Sequence, residues 1–150
     1  MQIIQAQPQH TADVAHLFDL YRQFYEQPAD PKLAQEFISQ RIANRESIIF
    51  VAYDGEEALG FVQLYPSFCS VQACKILILY DLYVVAGQRK KGLGAALLNR
   101  ATTLAKEMGA ARLDLLTAKD NLPGQTLYEK LGYVRTNEGF YAYSLAVSPP

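Results

Sequence analysis

The chain has 150 residues, of which 50% are hydrophobic, and its formal net charge is -1. This length and composition predict a single globular domain over residues 1–150 with a substantial core. A nearly neutral chain lacks the broad basic surface that attracts nucleic acids or acidic membranes, so neither is expected as a partner.

No apolar run approaches the roughly 20 residues of a membrane-spanning helix, and residues 1–4 lack the charged-then-apolar pattern of an export signal. We therefore expect a cytoplasmic protein. Cys69 and Cys74 are the only cysteines, and neither belongs to a CxxC pair or lies near a histidine in the sequence. This pattern predicts two reduced thiols and no metal site.

The first third of the sequence predicts a strand followed by two amphipathic helices. Residues 2–6 form the strand, and Thr11 or Asp13 caps the first helix. The second helix begins at Asp30, with Pro31 in its first turn. In both helices the apolar residues recur at spacings of three and four. They are Val14, Leu17, Tyr21 and Phe24 in the first helix, and Leu33, Phe37, Ile38 and Ile42 in the second.

The middle of the chain predicts a three-stranded meander. Residues 48–53 and 59–65 are rich in β-branched and aromatic residues, and Asp54 with Gly55 forms the turn between them. Residues 66–73 are expected to be a loop. Residues 75–85 then form a long apolar strand, which is typical of a central strand buried on both faces.

The last part of the chain alternates helices and strands. Glycine or proline marks several of the ends, as at Gly109, Pro123 and Gly132. The predicted elements are a helix at 92–108, a strand at 112–117, a helix at 121–131, and two final strands at 133–136 and 140–145. This order of elements predicts an α/β (α+β) fold.

One loop between the central strand and the following helix carries most of the functional argument. Glycines at 92 and 94 let the backbone approach a ligand closely, and the first N–H groups of the helix point toward that ligand. Arg89, Lys90 and Lys91 are unfavourable at a helix N-terminus by about 0.3–1 kcal/mol each, unless an anion is bound there. The loop therefore predicts a diphosphate site, and a solvated basic turn is the alternative.

The loop does not match the two common nucleotide-binding fingerprints. The pattern GxGxxG is absent. Gly87 and Gly92 have the spacing of GxxxxGK[ST], but Leu93 and Gly94 replace its lysine and hydroxyl residue. NAD and ATP are therefore disfavoured as ligands.

Three motifs resemble the GCN5-related N-acetyltransferase (GNAT) family over nearly the whole chain. They are RxxGxG at 89–94, a later asparagine at Asn121, and the ending LYxxLGY at 127–133. The runs 79–84 and 127–132, together with Tyr25 and Glu26, are most similar to the diamine and small-amine acetyltransferase branch.

The resemblance implies a mixed, mostly antiparallel sheet of about seven strands, flanked by about four helices and splayed between strands four and five. It also implies acetyl-CoA as co-substrate. Its binding residues would lie in the loop, along the splayed strands and at the start of the last helix. They are Leu82, Tyr83, Val84, Arg89, Lys90, Lys91, Gly92, Leu93, Gly94, Ala95, Leu116 and Asn121.

For catalysis the resemblance implies that Tyr128 is the general acid for the departing thiolate. A phenol is protonated at neutral pH and can donate to a thiolate. Glu26, Tyr80 and Asp81 would meet the amine. Diamine acetyltransferases carry a glutamate immediately before the aspartate that matches Asp81, whereas this chain has Tyr80, so polyamine specificity does not follow.

The expected function is transfer of acetyl from acetyl-CoA to a primary amine of a small molecule, such as a polyamine or an amino acid, by direct attack. Two alternatives remain open. One is acetylation of a protein lysine or N-terminus, and the other is a catalytically silent acyl-CoA-binding sensor. Members of the branch usually pair through their C-terminal strands, which implies a homodimer in which the aromatic run at 140–143 is buried.

Overall fold

The structure is a computed structural model, and it describes residues 1–136 and 139–148. The chain divides into two compact units, Met1–Leu116 and Thr117–Pro150. Within the described residues, none of the helices has both the length and the apolar character needed to cross a membrane.

The first unit contains a five-stranded sheet in the order β1-β2-β3-β4-β5. Neighbouring strands are antiparallel except for β4 and β5, which run parallel. The strands are β1 (Gln2–Gln5), β2 (Ile48–Asp54), β3 (Glu57–Cys69), β4 (Cys74–Val84) and β5 (Leu113–Leu115). The mixed, mostly antiparallel sheet that the sequence predicts is confirmed.

Three helices flank this sheet: α1 (Thr11–Phe24), α2 (Pro31–Ala43) and α3 (Leu93–Met108). Phe61 of β3 belongs to the buried cluster that contains residues of α1 and α2. A Cβ on the adjacent Gly60 would instead lie 3.4 Å from Leu97 of α3. Because successive strand residues point to opposite faces, α3 covers the face opposite α1 and α2.

The predicted helix starts are partly confirmed. Asp30 caps α2 by accepting from the backbone N–H of Leu33 at 3.1 Å. The cap predicted for α1 is wrong, because the N-cap residue is His10. The Thr11 hydroxyl donates to the Pro8 carbonyl, and the Asp13 carboxylate accepts from the Tyr53 hydroxyl at 2.7 Å.

The predicted inner stripe of α2 is partly wrong. Its fully buried residues are Ala34 and Ile38, whereas Leu33 is 44% exposed. Residues 34 and 38 are four apart and share one face of the helix. The small Ala34 side chain lets this face lie against the core, and that rotates Leu33 toward solvent.

The loop predicted at 66–73 is wrong, because β3 continues to Cys69 and β4 begins at Cys74. Pro66 lies in register with Leu77 of β4. The pairing of β2 with β3 ends at Leu64, so one side of β3 is an edge beyond that point. Proline is tolerated at an edge because its missing N–H breaks no necessary ladder bond there.

The second unit contains α4 (Leu122–Lys130). The strands predicted at 133–136 and 140–145 are wrong, because the structure assigns no strand to these described residues. Phe140, Tyr141 and Tyr143 are instead 82–92% exposed. Their apolar character suggests a buried strand, but a strand also needs a neighbouring backbone to pair with. The described residues hold five strands rather than seven.

Candidate active site

The pairing between β4 and β5 is short. It consists of three residue pairs and ends where Leu79 faces Leu115. β4 continues to Val84 while pairing with β3 on its other side, and Leu116, just past β5, is 95% exposed. The predicted splay between strands four and five is therefore present. It leaves Leu82, Tyr83 and Val84 along an edge that β5 does not cover.

A β-bulge lies where this edge begins. Gln63 faces Asp81 and Leu64 faces Leu79, so Tyr80 has no residue opposite it. A bulge changes the direction in which neighbouring side chains point. Tyr80 is 63% exposed, whereas Asp81 is only 5% exposed. The bulge therefore places an exposed aromatic ring beside a buried carboxyl group.

The Asp81 carboxyl is held by a chain of hydrogen bonds. The Gln63 side-chain amide donates to Asp81 Oδ2, and Gln63 Oε1 accepts from the Ser47 hydroxyl at 2.7 Å. Gln63 is completely buried. Since an ionised carboxylate only accepts hydrogen bonds, the NH₂ group of Gln63 must face Asp81 and its oxygen must face Ser47. We call Ser47, Gln63 and Asp81 the buried relay.

Burial and hydrogen bonding act in opposite directions on Asp81. Burial raises the pKa of its carboxyl above the ordinary value, while the hydrogen bond from Gln63 and the nearby Tyr21 hydroxyl lower it. The desolvation cost is the larger effect. Burial and the neighbouring Asp81 also raise the pKa of Tyr65 to about 12, so this phenol is neutral at physiological pH.

Tyrosine side chains lie close to the carboxyl group. The Tyr21 hydroxyl donates to the Tyr80 carbonyl at 3.1 Å, and the Tyr65 and Tyr80 rings meet edge to face at 5.6 Å. Tyr25 packs against Tyr21 at 5.1 Å. Rings beside a carboxylate suit an organic ammonium group, because aromatic faces and the carboxylate both attract a cation.

Glu26 follows Tyr25 at the end of α1. Its backbone is left-handed, with φ of 65°, and its side chain is exposed. Such a conformation is uncommon outside glycine, asparagine and aspartate. It turns the chain away from the helix immediately after the aromatic residues.

The predicted diphosphate loop joins β4 to α3 as expected. Gly92 is the N-cap of α3, with φ of 85°, and Lys90 has φ of 63°. The first helical bond runs from the N–H of Ala96 to the Gly92 carbonyl at 3.0 Å. The N–H groups of Leu93, Gly94 and Ala95 precede this first intrahelical donor. In this described segment no side chain caps the helix either, so these N–H groups suit an anion.

Arg89 and Lys91 of the loop make different side-chain contacts. Arg89 Nε donates to the Val84 carbonyl at 2.9 Å, and its guanidinium lies 5.4 Å from the ring centres of both Phe24 and Tyr83. Lys91 Nζ lies 3.4 Å from Gln88 Oε1. Arg89 therefore fixes the end of β4 to the loop, which sequence reasoning did not predict.

Gly60 allows β3 and β4 to approach closely at the end of the splayed edge. A Cβ at this position would lie only 2.8 Å from the Tyr83 carbonyl oxygen. Since that oxygen is backbone, a side chain there would push the two strands apart.

In the second unit, Asn121 is the N-cap of α4 and Tyr128 lies within that helix. Asn121 Oδ1 accepts from the N–H of Gly124 at 3.2 Å, and its amide donates to the Thr117 hydroxyl at 3.1 Å. Asn121 therefore caps α4. Tyr128 is partly buried, and its ring lies 5.7 Å from the Tyr133 ring.

Sequence reasoning missed Gln63, Ser47 and Tyr65. Gln63 is a polar residue at an inward-facing position of an apolar strand, which is a signal that the sequence does contain. Its partner could not be identified, because the bulge at Tyr80 decides which β4 residue faces it. Among the described residues, no group of three His, Cys, Asp or Glu side chains could hold a metal ion.

Known proteins are similar to this chain over most of its length. The acetyltransferase (GNAT) family model matches residues 14–133. The uncharacterized N-acetyltransferase YhfO of Bacillus subtilis (strain 168) is 43% identical, with 98% of each chain covered. Thialysine N-epsilon-acetyltransferase of Caenorhabditis elegans is 24% identical, over 96% of this chain and 91% of that one.

Among solved structures, a crystal structure of a probable acetyltransferase superimposes with a TM-score of 0.90 and 37% identity, covering 100% of both chains. The family uses acetyl-CoA as acetyl donor. The splayed β4 edge and the glycine-containing loop before α3 agree with this likeness. The chain belongs to the GNAT family of acetyltransferases.

Proposed function

We propose that the protein transfers acetyl from acetyl-CoA to a primary amine of a small molecule. The observation that carries this proposal is the buried Asp81 carboxyl, set among tyrosine rings where the uncovered edge of β4 begins. A carboxyl that is 5% exposed suits one enclosed ammonium group better than a broad protein surface. The similarity to a thialysine N-epsilon-acetyltransferase also supports a small amine.

Acetyl-CoA binds at the loop before α3 and along the uncovered edge of β4. The diphosphate of acetyl-CoA binds the helix N-terminus through the backbone of residues 92–95, assisted by Arg89, Lys90 and Lys91. The pantetheine arm and the acetyl group lie along Leu82, Tyr83 and Val84 opposite Leu116. Asn121 contacts the coenzyme.

Direct attack requires a neutral amine, stabilisation of the oxyanion, and a proton for the leaving sulfur. Asp81 binds the ammonium group, with Tyr80 and Glu26 as the further acceptor-site residues, and the ammonium group loses a proton to solvent. The nitrogen then attacks the thioester carbon, an N–H of β4 stabilises the oxyanion, and the cationic nitrogen of the tetrahedral intermediate releases its second proton to water. As the C–S bond breaks, Tyr128 donates its phenolic proton to the thiolate and is reprotonated from water.

A single assay tests the reaction and its acceptor class. Release of free CoA thiol from acetyl-CoA is measured with diamines, amino acids, thialysine, aminoglycosides and lysine-containing peptides. Cys69 and Cys74 are free thiols, so a blank of enzyme alone is subtracted when a thiol reagent is used. Turnover with a small amine is expected, and turnover confined to peptides would favour the protein acetyltransferase alternative.

The sensor alternative predicts a different result. A silent module would bind CoA in calorimetry yet release no thiol with any amine. Binding without turnover over the whole panel would therefore reject the enzymatic proposal for the acceptors tested.

We also propose a homodimer formed through the C-terminal segment of a cytoplasmic, single-domain protein. Exposed apolar side chains follow one another there, with Phe140 82%, Tyr141 90% and Tyr143 92% exposed. Such a run is typical of an interface. Light scattering coupled to size exclusion should give twice the 16.8 kDa chain mass. A monomeric mass at micromolar concentration would reject the dimer.

A further inference from the structure

The two cysteines lie directly opposite each other at the tip of the β3–β4 hairpin. Cys69 and Cys74 are the last residue pair of the ladder before the turn at 70–73. The turn is closed by a hydrogen bond of 3.1 Å from the N–H of Ala73 to the Ser70 carbonyl, and Ala73 has φ of 53°. The register of the two strands therefore holds the two thiols side by side.

This placement suits a disulfide. Opposite residues of antiparallel strands have Cα atoms about 4.5 or 5.5 Å apart, depending on whether they exchange hydrogen bonds. Both distances fall within the range of about 4.4–6.8 Å that disulfides span. Both cysteines are free and partly exposed. A bond can form between them without a change in strand register.

The surroundings of Cys69 favour its thiolate. The backbone of Gln72, the Arg112 side chain and the backbone of Val71 lie close to its sulfur and together lower the pKa of this thiol. Donors and a cation at a thiol favour its ionised, nucleophilic form. Cys74 differs, because its sulfur lies 3.9 Å from the acceptor oxygen of the Gln72 side chain.

Arg112 is itself held in place. Its Nε lies 2.9 Å from Asp114 Oδ1, and Nη1 donates to the Gln72 side-chain oxygen. The Arg112 carbonyl accepts from the N–H of Leu77, which ties the residue to β4. The cation beside Cys69 is therefore supported by β4, β5 and the turn.

We propose that Cys69 and Cys74 form a peroxide-sensitive thiol pair, in which Cys69 is the attacking thiolate and Cys74 is the resolving thiol. The Cys69 sulfur attacks one oxygen of hydrogen peroxide, the O–O bond breaks, and hydroxide leaves to give a sulfenic acid. The Cys74 sulfur then attacks that sulfur, the S–O bond breaks, and water leaves with the thiol proton. The peroxide gains two electrons, and the two cysteines lose them.

The test begins with the reduced full-length protein. After treatment with one to five equivalents of hydrogen peroxide, intact mass spectrometry should show loss of two hydrogens. Both cysteines, which lie in the same proteolytic peptide, should then resist alkylation. Reduction with a dithiol should restore their reactivity toward the alkylating reagent. Because this measurement needs no acetyl-CoA and no amine, its result is independent of the proposed acetyl transfer.

Variants assign the two roles. Cys74→Ser should accumulate a sulfenic acid at Cys69 that dimedone traps, whereas Cys69→Ser should give little trapping at Cys74. Arg112→Ala should slow oxidation of the pair several-fold, and Arg45→Ala, which removes an exposed arginine elsewhere, should leave the rate unchanged. Circular dichroism confirms that each variant is folded.

Three outcomes would overturn the proposal. Both thiols could remain open to alkylation after peroxide, dimedone could label Cys74 in preference to Cys69, or the disulfides formed could link separate chains. Each would show that the hairpin pair does not react as an attacking and a resolving thiol.

Discussion

Replacing Gln63 by leucine tests the buried relay directly. Leucine has a similar size, so the change removes the amide without opening a large cavity. Asp81, which is 5% exposed, then loses the donor to its Oδ2. Ser47 is only partly buried, so its hydroxyl can turn to water and contributes little to the loss.

The cost follows from leaving a buried charge without its donor. An unsatisfied buried group costs about 1–3 kcal/mol, and a charged one lies at the upper end of that range. We therefore expect the free energy of unfolding to fall by about 2–3 kcal/mol at pH 8. For a chain of this length each kcal/mol lowers the melting temperature by about 2–4 °C, which gives roughly 4–12 °C.

The loss should depend on pH, because Asp81 can escape the penalty by taking up a proton. In Gln63→Leu the pKa of Asp81 rises further, so the difference from the wild type should be smaller at acidic pH than at pH 8. Ser47→Ala removes only a neutral hydrogen bond to Gln63 and should cost about 1 kcal/mol at both pH values.

Urea unfolding followed by far-ultraviolet circular dichroism measures these differences, and the chain contains no tryptophan whose fluorescence would serve instead. Gln35→Leu, a change of an exposed glutamine on α2, is the matched control and should stay within about 0.5 kcal/mol. If Gln63→Leu were as stable as the wild type at pH 8, or equally destabilised at both pH values, the relay would not be holding an ionised Asp81.

Four further predictions concern the site. Gly60→Ala should cost about 1–3 kcal/mol of stability and raise the KM for acetyl-CoA, because its Cβ would lie 2.8 Å from the Tyr83 carbonyl; an unchanged KM in initial-rate assays would argue against this. Gly92→Ala, at φ of 85°, should cost about 1–2 kcal/mol and weaken CoA binding in calorimetry. Tyr128→Phe should lower kcat and keep the affinity for CoA, and unchanged turnover would remove Tyr128 as the acid. Burial raises the pKa of Asp81 in the folded state. The stability that this shift contributes is therefore complete below the ordinary pKa of 3.8 and is lost as pH rises through the raised pKa. Asp81→Asn should remove this pH dependence from unfolding curves.

The geometry of the loop before α3 was predictable because its signals are local. Gly92, the cations before it and the apolar stripe after it occupy consecutive turns of one chain segment, and the helix begins where the sequence indicates. Asn121 is similar, since a cap and the helix that it begins are neighbours in sequence. Spacing alone specifies such features.

The acceptor side depends on long-range register, which spacing does not reveal. Gln63 meets Asp81 only because Tyr80 is bulged out of the ladder; a one-residue shift would turn these side chains to the opposite face. Cys69 and Cys74 were predicted as two separate reduced thiols, and only the length of β3 shows that they face each other. The prediction of strands at 133–136 and 140–145 was wrong for a related reason. These residues have an apolar pattern, but among the described residues they have no partner strand to pair with.

Several features of the site are unfavourable in the protein without ligand. Lys90 adopts a left-handed backbone, three cations precede a helix N-terminus, and Asp81 bears a desolvation cost. A bound diphosphate would reverse the sign of the charge interactions at α3, and an ammonium group would compensate Asp81. Such local conflicts are expected where a sequence is selected for binding rather than for stability. Binding of donor and acceptor should therefore stabilise the fold in different pH ranges: the donor at any pH where its phosphates are ionised, and the acceptor only where Asp81 is charged.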